Sequence, residues 1–104
     1  MKRILITLAV SLFAATSAMA DAGLDLAKAK NCLACHSVDK KVVGPAYKDV
    51  AAKYAGKAGM VDTLAEHIMK GSQGVWGPIP MPANTQVNAA DAKTLATWIL
   101  AQKQ

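Results

Sequence analysis

Cys32-Leu33-Ala34-Cys35-His36 places two thiols and an imidazole within one short turn. A separation of three residues brings both thiols to one edge of a flat ligand, and the histidine that follows can swing beneath its centre. These are the requirements of c-type haem attachment: each thiol adds to one of two neighbouring vinyl groups, and the imidazole nitrogen becomes an iron ligand. Three residue types at one spacing then serve a single cofactor.

Two other chemistries use the same residue types. A structural zinc site closes with four protein ligands, and beyond this cluster the chain offers only His67 and scattered carboxylates. The zinc site therefore lacks its second half. A thioredoxin-like Cys-x-x-Cys belongs in a chain that alternates strands with helices, and no strand pattern is present. Haem attachment is the favoured reading.

Residues 1–20 read as a secretory leader. Lys2 and Arg3 form a basic start, Ile4 to Ala15 is apolar, and Ala18-Met19-Ala20 offers a cleavage site before Asp21. The apolar run is well short of the roughly twenty residues that a spanning helix needs, so no stable membrane anchor is expected. Export implies an oxidising compartment, where an unoccupied thiol pair tends towards a disulfide. Residues 21–104 form a single domain, too short to build a large core, and a covalent haem would supply an apolar plate to pack around. The formal charge falls from +5 to +3, because Lys2 and Arg3 leave with the leader. Lys28, Lys30, Lys40, Lys41, Lys48, Lys53 and Lys57 crowd the first half. Most serve solubility, and those near the haem edge would steer acidic partners. No nucleic-acid module is recognisable.

Helical periodicity covers most of the domain. Leu24 to Asn31 is a first helix, leading into the cysteine motif. Gly44-Pro45 opens a second, with proline in the first helical position and Ala46 to Tyr54 following. Gly56 to Gly59 breaks it. A third runs from Met60 to Lys70 and stops at Gly71, its apolar face made by Met60, Val61, Leu64, Ala65 and Ile68, with His67 and Met69 on the flanks. A last helix starts near Asn88, where Asn88 and Asp91 resemble a capping box, and ends near Gln102. Leu95, Trp98 and Ile99 point inward from it, and it is the natural partner of the first helix. The fold class is all-α, with about four short helices.

Between the third and last helices lies Gly74-Val75-Trp76-Gly77-Pro78-Ile79-Pro80-Met81-Pro82-Ala83-Asn84. Three prolines in five positions forbid a helix and suggest a stiff, extended loop, with Met81 on it rather than on a packed face. Methionine normally fills gaps in a core, which suits Met60 and Met69. The Met81 thioether is instead a soft neutral ligand for the second side of a haem iron. His36 and Met81 together would close the iron and raise its reduction potential relative to two imidazoles, leaving no site for substrate. A one-electron carrier follows, not an enzyme.

These residues resemble the short bacterial class I cytochromes c, the soluble periplasmic electron carriers of respiratory and denitrifying chains. The likeness rests on residues 32–36, on Val43-Gly44-Pro45-Ala46-Tyr47-Lys48-Asp49-Val50, and on the run from Gly71 to Pro82. It implies a single domain wrapped around one haem c attached through Cys32 and Cys35. It also implies that the Pro45 carbonyl accepts the His36 Nδ1–H, that Trp76 donates to a haem propionate, and that Asn84 sits near the Met81 sulfur. His67 stands where the family commonly carries a cationic partner for a propionate, so its titration would tune the haem potential. Implied partners are redox proteins with acidic docking surfaces, with a cytochrome complex as donor and a nitrite reductase or terminal oxidase as acceptor, and a monomer is expected. Two positions depart from the pattern: Ala27 replaces a larger aromatic residue, leaving the first and last helices less filled, and Ala83 replaces a frequent proline. The competing function is a five-coordinate haem protein with peroxidase or gas-binding activity, which requires Met81 to be off the iron. A thiol oxidoreductase without haem is the third.

Overall fold

The computed structural model describes residues 22–102, so the leader assigned to residues 1–20 lies outside them. Four α-helices follow one another: α1 (22–29), α2 (Tyr47–Tyr54), α3 (Met60–Lys70) and α4 (Ala89–Leu100). A single 3-10 turn, Cys32–Ala34, separates α1 from α2. No strand occurs among the described residues, where the bridges His36–Lys41 and Ser72–Met81 stand alone. None of the described helices is long and apolar enough to cross a membrane.

α4 is the hub of the core. Ala92, Leu95, Ala96, Trp98 and Ile99 recur at helical spacing and are all buried, and both α2 and α3 pack against the helix. Its start is fixed by Asn88, whose Oδ1 accepts the Asp91 backbone N–H at 2.8 Å, the capping expected from the sequence. α3 contributes Leu64, Ala65 and Ile68, with Met60, Val61 and Met69 partly buried beside them. Each fully buried leucine or isoleucine in such a core contributes about 1.5–3 kcal/mol.

α2 begins later than its sequence suggests. Ala46 is extended, at φ −62° and ψ 144°, and caps the helix from outside, so Pro45 precedes the cap and is not the first helical residue. The reason lies in the hydrogen bonds. The first N–H groups of α2 go to the preceding loop, Tyr47 to the Ser37 carbonyl at 2.9 Å and Lys48 to the Val38 carbonyl at 3.1 Å, and the Pro45 carbonyl is committed to His36. From Tyr47 onward the pattern is regular, with Tyr47, Val50, Ala51 and Tyr54 buried on one face.

α1 reaches α4 through its small residues. Ala27 is completely buried within the core cluster, so the smaller side chain at this position is enclosed all the same. One turn earlier, a Cβ on Gly23 would stand 2.2 Å from Cγ of Trp98. Glycine within a helix ordinarily costs about 1 kcal/mol relative to alanine, but here the missing methyl makes room for the indole. Gly23→Ala should therefore destabilise the fold, by about 1–3 kcal/mol, and lower the thermal midpoint by about 5–15 °C. Calorimetry on the wild type and the variant checks the sign, which helix propensity alone would reverse.

Candidate cofactor site

Asn31 adopts a left-handed conformation, φ 65°, that ends α1 and feeds the chain into the cysteine turn. Asparagine tolerates that region better than other non-glycine residues. The Cys32 carbonyl then accepts the N–H groups of Cys35 at 3.2 Å and His36 at 3.1 Å, which coils the whole motif into one turn. Both cysteines are free thiols and half-buried. Burial pushes the Cys32 thiol above its ordinary range, and a hydrogen bond with the Tyr47 hydroxyl offsets part of that. Burial, with Cys32 alongside, likewise raises the Tyr47 phenol far above its usual range. Neither group carries charge near neutral pH.

His36 is gripped from three directions. Its Nδ1 lies 2.8 Å from the Pro45 carbonyl. A carbonyl oxygen can only accept, so Nδ1 carries the proton and Nε2 keeps its lone pair for a metal. The Tyr47 ring stacks on the imidazole, with centroids 4.9 Å apart and planes at 21°. On another side the chain passes so close that a Cβ on Gly44 would stand 2.5 Å from His36 Cε1. Tyr47 in turn meets Trp98 edge to face at 5.4 Å, which connects the imidazole to α4.

Met81 is positioned from the base of its loop. Ser72 and Met81 exchange backbone hydrogen bonds of 3.0 and 2.9 Å. Gly71, at φ 85°, lies so near that a Cβ there would come within 2.6 Å of the Met81 carbonyl oxygen. The loop is not extended throughout, as its prolines suggested: residues 73–79 are a run of bends, with Gly74 and Gly77 at positive φ ahead of Pro78. Met81 also departs from expectation in its surroundings, since its side chain is partly buried and packs against the core.

All eight residues singled out from the sequence line one open cavity of about 370 Å³: Cys32, Cys35, His36, Pro45, His67, Trp76, Met81 and Asn84. Val50, Leu64, Ile68 and Ile99 give it an apolar wall. Trp76 stands at the mouth, about one-third exposed, with Lys53 Nζ 4.7 Å from its ring centroid. Asn84 is tied to α3, its Nδ2 donating to the Ile68 carbonyl at 2.9 Å. Of the lysines expected around the site, Lys41 lines the cavity and Lys53 covers Trp76, whereas Lys48 pairs with Asp39 at 2.7 Å and Lys30 with Asp91 at 3.8 Å. Gly44 and Tyr47 were not singled out as site residues. Both entered the sequence reading only as part of the second helical segment, Gly44 at its opening and Tyr47 within it, and as positions in the matching run 43–50. No group of three His, Cys, Asp or Glu able to hold an ion gathers among the described residues.

The donor set suits haem. A thiol pair at one edge, an imidazole with Nε2 available, a thioether and an apolar wall fit a flat, hydrophobic iron cofactor better than a hydrated ion. Comparison with known proteins agrees. The profile of the family described as cytochrome c matches residues 20–103. Cytochrome c-551 of Pseudomonas aeruginosa is 63% identical over 78 residues, covering 75% of this chain and 74% of its own length. Cytochrome c-551 of Stutzerimonas stutzeri is 56% identical over 105 residues, covering 99% of this chain and all of its own. The crystal structure of Nitrosomonas europaea cytochrome c552 superposes with a TM-score of 0.76 at 61% identity, covering 77% of this chain and 99% of that one. The chain belongs to the cytochrome c family, as one of its small bacterial class I members, which are electron-transfer proteins and not enzymes.

Proposed function

We propose that this chain is an exported, periplasmic one-electron carrier in which a single haem c, attached through Cys32 and Cys35, is ligated by His36 and Met81. The supporting observation is the His36 imidazole, held by the Pro45 carbonyl with Nε2 available, in the same cavity as the Met81 thioether. When bound, the haem would supply a reversible Fe(II)/Fe(III) couple. The chain supplies the rest. The Pro45 bond fixes the tautomer and orientation of His36 and increases its basicity. The Met81 thioether, as the second ligand, would favour the ferrous state more than a second imidazole does. Trp76 and His67, both on the cavity lining, are the candidates to hold propionates, and Asn84 to stand beside the Met81 sulfur.

Export of residues 21–104 after loss of residues 1–20 is supported by the family match, which begins at residue 20. Docking would use the cavity mouth. Val43, Trp76 and Ile79 are exposed large hydrophobics that line it, with Val42 beside them and Lys41 and Lys53 at the margin. An apolar centre with a cationic rim suits redox proteins with acidic docking surfaces, such as a cytochrome complex as donor and a nitrite reductase or terminal oxidase as acceptor.

The exported ferric protein should show the weak band at about 695 nm that marks methionine ligation, and Met81→Ala should abolish it and lower the midpoint potential. High-spin features without that band in the wild type would replace the carrier with the five-coordinate alternative. A second measurement addresses His67. His67→Ala should shift the midpoint potential of the haem protein, and an unchanged potential in the variant would remove His67 from the haem environment.

A further inference from the structure

Gln86 and Lys30 hold each other's backbone although 56 residues separate them. Lys30 Nζ donates to the Gln86 carbonyl at 3.2 Å, and Gln86 Nε2 donates to the Lys30 carbonyl at 3.0 Å. The same Nε2 reaches Asn84 Oδ1 at 3.2 Å. Asn84 in turn puts both its side-chain Nδ2 and its backbone N–H on the Ile68 carbonyl, at 2.9 and 3.1 Å. Carbonyls in the last turn of a helix lack intrahelical partners. The N–H four residues beyond Ile68 belongs to Ser72, and it is taken by the Met81 carbonyl.

These bonds join two walls of one cavity. Lys30 lies two residues before Cys32, and its neighbour Asn31 lines the cavity. Gln86 lies five residues after Met81, and Asn84 between them lines the cavity as well. The cysteine wall and the methionine wall are otherwise remote in sequence. Before Met81 the chain passes through a run of bends with two positive-φ glycines, so the restraint on that side comes from the Ser72 pairing. After Met81 it comes from Asn84 and, through Asn84, from Gln86.

We propose that Gln86 is a positioning residue for Met81: with Lys30 it latches the methionine wall to the cysteine wall and keeps the thioether within reach of the iron. This role rests on Met81 being the second iron ligand. Gln86 is not among the residues lining the cavity and acts through Asn84 and the chain between them. A partial ion pair of Lys30 with Asp91, at the start of α4, holds the lysine end of the latch.

The test is a titration of the ferric holoprotein with imidazole, which competes with Met81 for iron, followed at the band of about 695 nm. Gln86→Ala is expected to bind imidazole about fivefold more tightly, the change that follows from losing one hydrogen bond of ordinary net strength. Gln86→Glu should change in the same direction, because its carboxylate would face the Lys30 carbonyl and Asn84 Oδ1, and it serves if the alanine variant does not fold. Gln102→Ala, which removes a bond of the same kind to the Trp98 carbonyl, should keep wild-type affinity. Wild-type imidazole affinity in both Gln86 variants, or an equal gain in Gln102→Ala, would overturn the latch. Absence of the band from the wild-type protein would instead overturn Met81 ligation, and the latch with it.

Discussion

The bond of 2.8 Å between His36 Nδ1 and the Pro45 carbonyl organises both the loop around it and the helix after it. It commits a carbonyl that a helix beginning at Pro45 would otherwise use, so α2 starts at Tyr47 and its first N–H groups donate to the Ser37 and Val38 carbonyls. That start in turn sets the Tyr47 ring flat against the imidazole. Gly44 completes the enclosure, because no side chain fits between that stretch of backbone and Cε1. One hydrogen bond therefore decides a tautomer, a helix boundary and an aromatic stack.

For Met81 the chain relies on backbone closure. Ser72 and Met81 pair as a fragment of ladder, and Gly71 allows the two strands of the loop to come together where any Cβ would collide. Asn84 then anchors the outgoing chain to the end of α3. A thioether makes weak polar contacts of its own, so its location has to be imposed by the main chain. The imidazole is held by its ring and the methionine by its peptide groups, a difference that follows from the chemistry of the two side chains.

The cysteine motif, the four helices, the Asn88 cap and the Gly71 stop were all legible in the sequence, because each depends on neighbours no more than a few residues apart. The start of α2 was not, since it is decided by the Pro45 carbonyl and by Ser37, which local propensity does not see. The bends at 73–79 were hidden for a related reason: the prolines constrain their own φ from position 78 onward, but the positive φ of Gly74 and Gly77 lies ahead of them. Gathering all eight candidate residues on one cavity needed the fold, although their identities did not. Gly23 and Gln86 carried no local signal at all. Their importance arises from Trp98 and Lys30, which are 75 and 56 residues away in the chain.

Gly23, Trp98, Tyr47 and His36 form an unbroken series of contacts from the first helix to the imidazole. A side chain admitted at position 23 has to displace the indole, the indole bears on the phenol, and the phenol lies flat on the ring that would bind iron. A change at the outermost position is thus transmitted along the column to the imidazole, so a small residue far from the cavity helps to set how that ring is held.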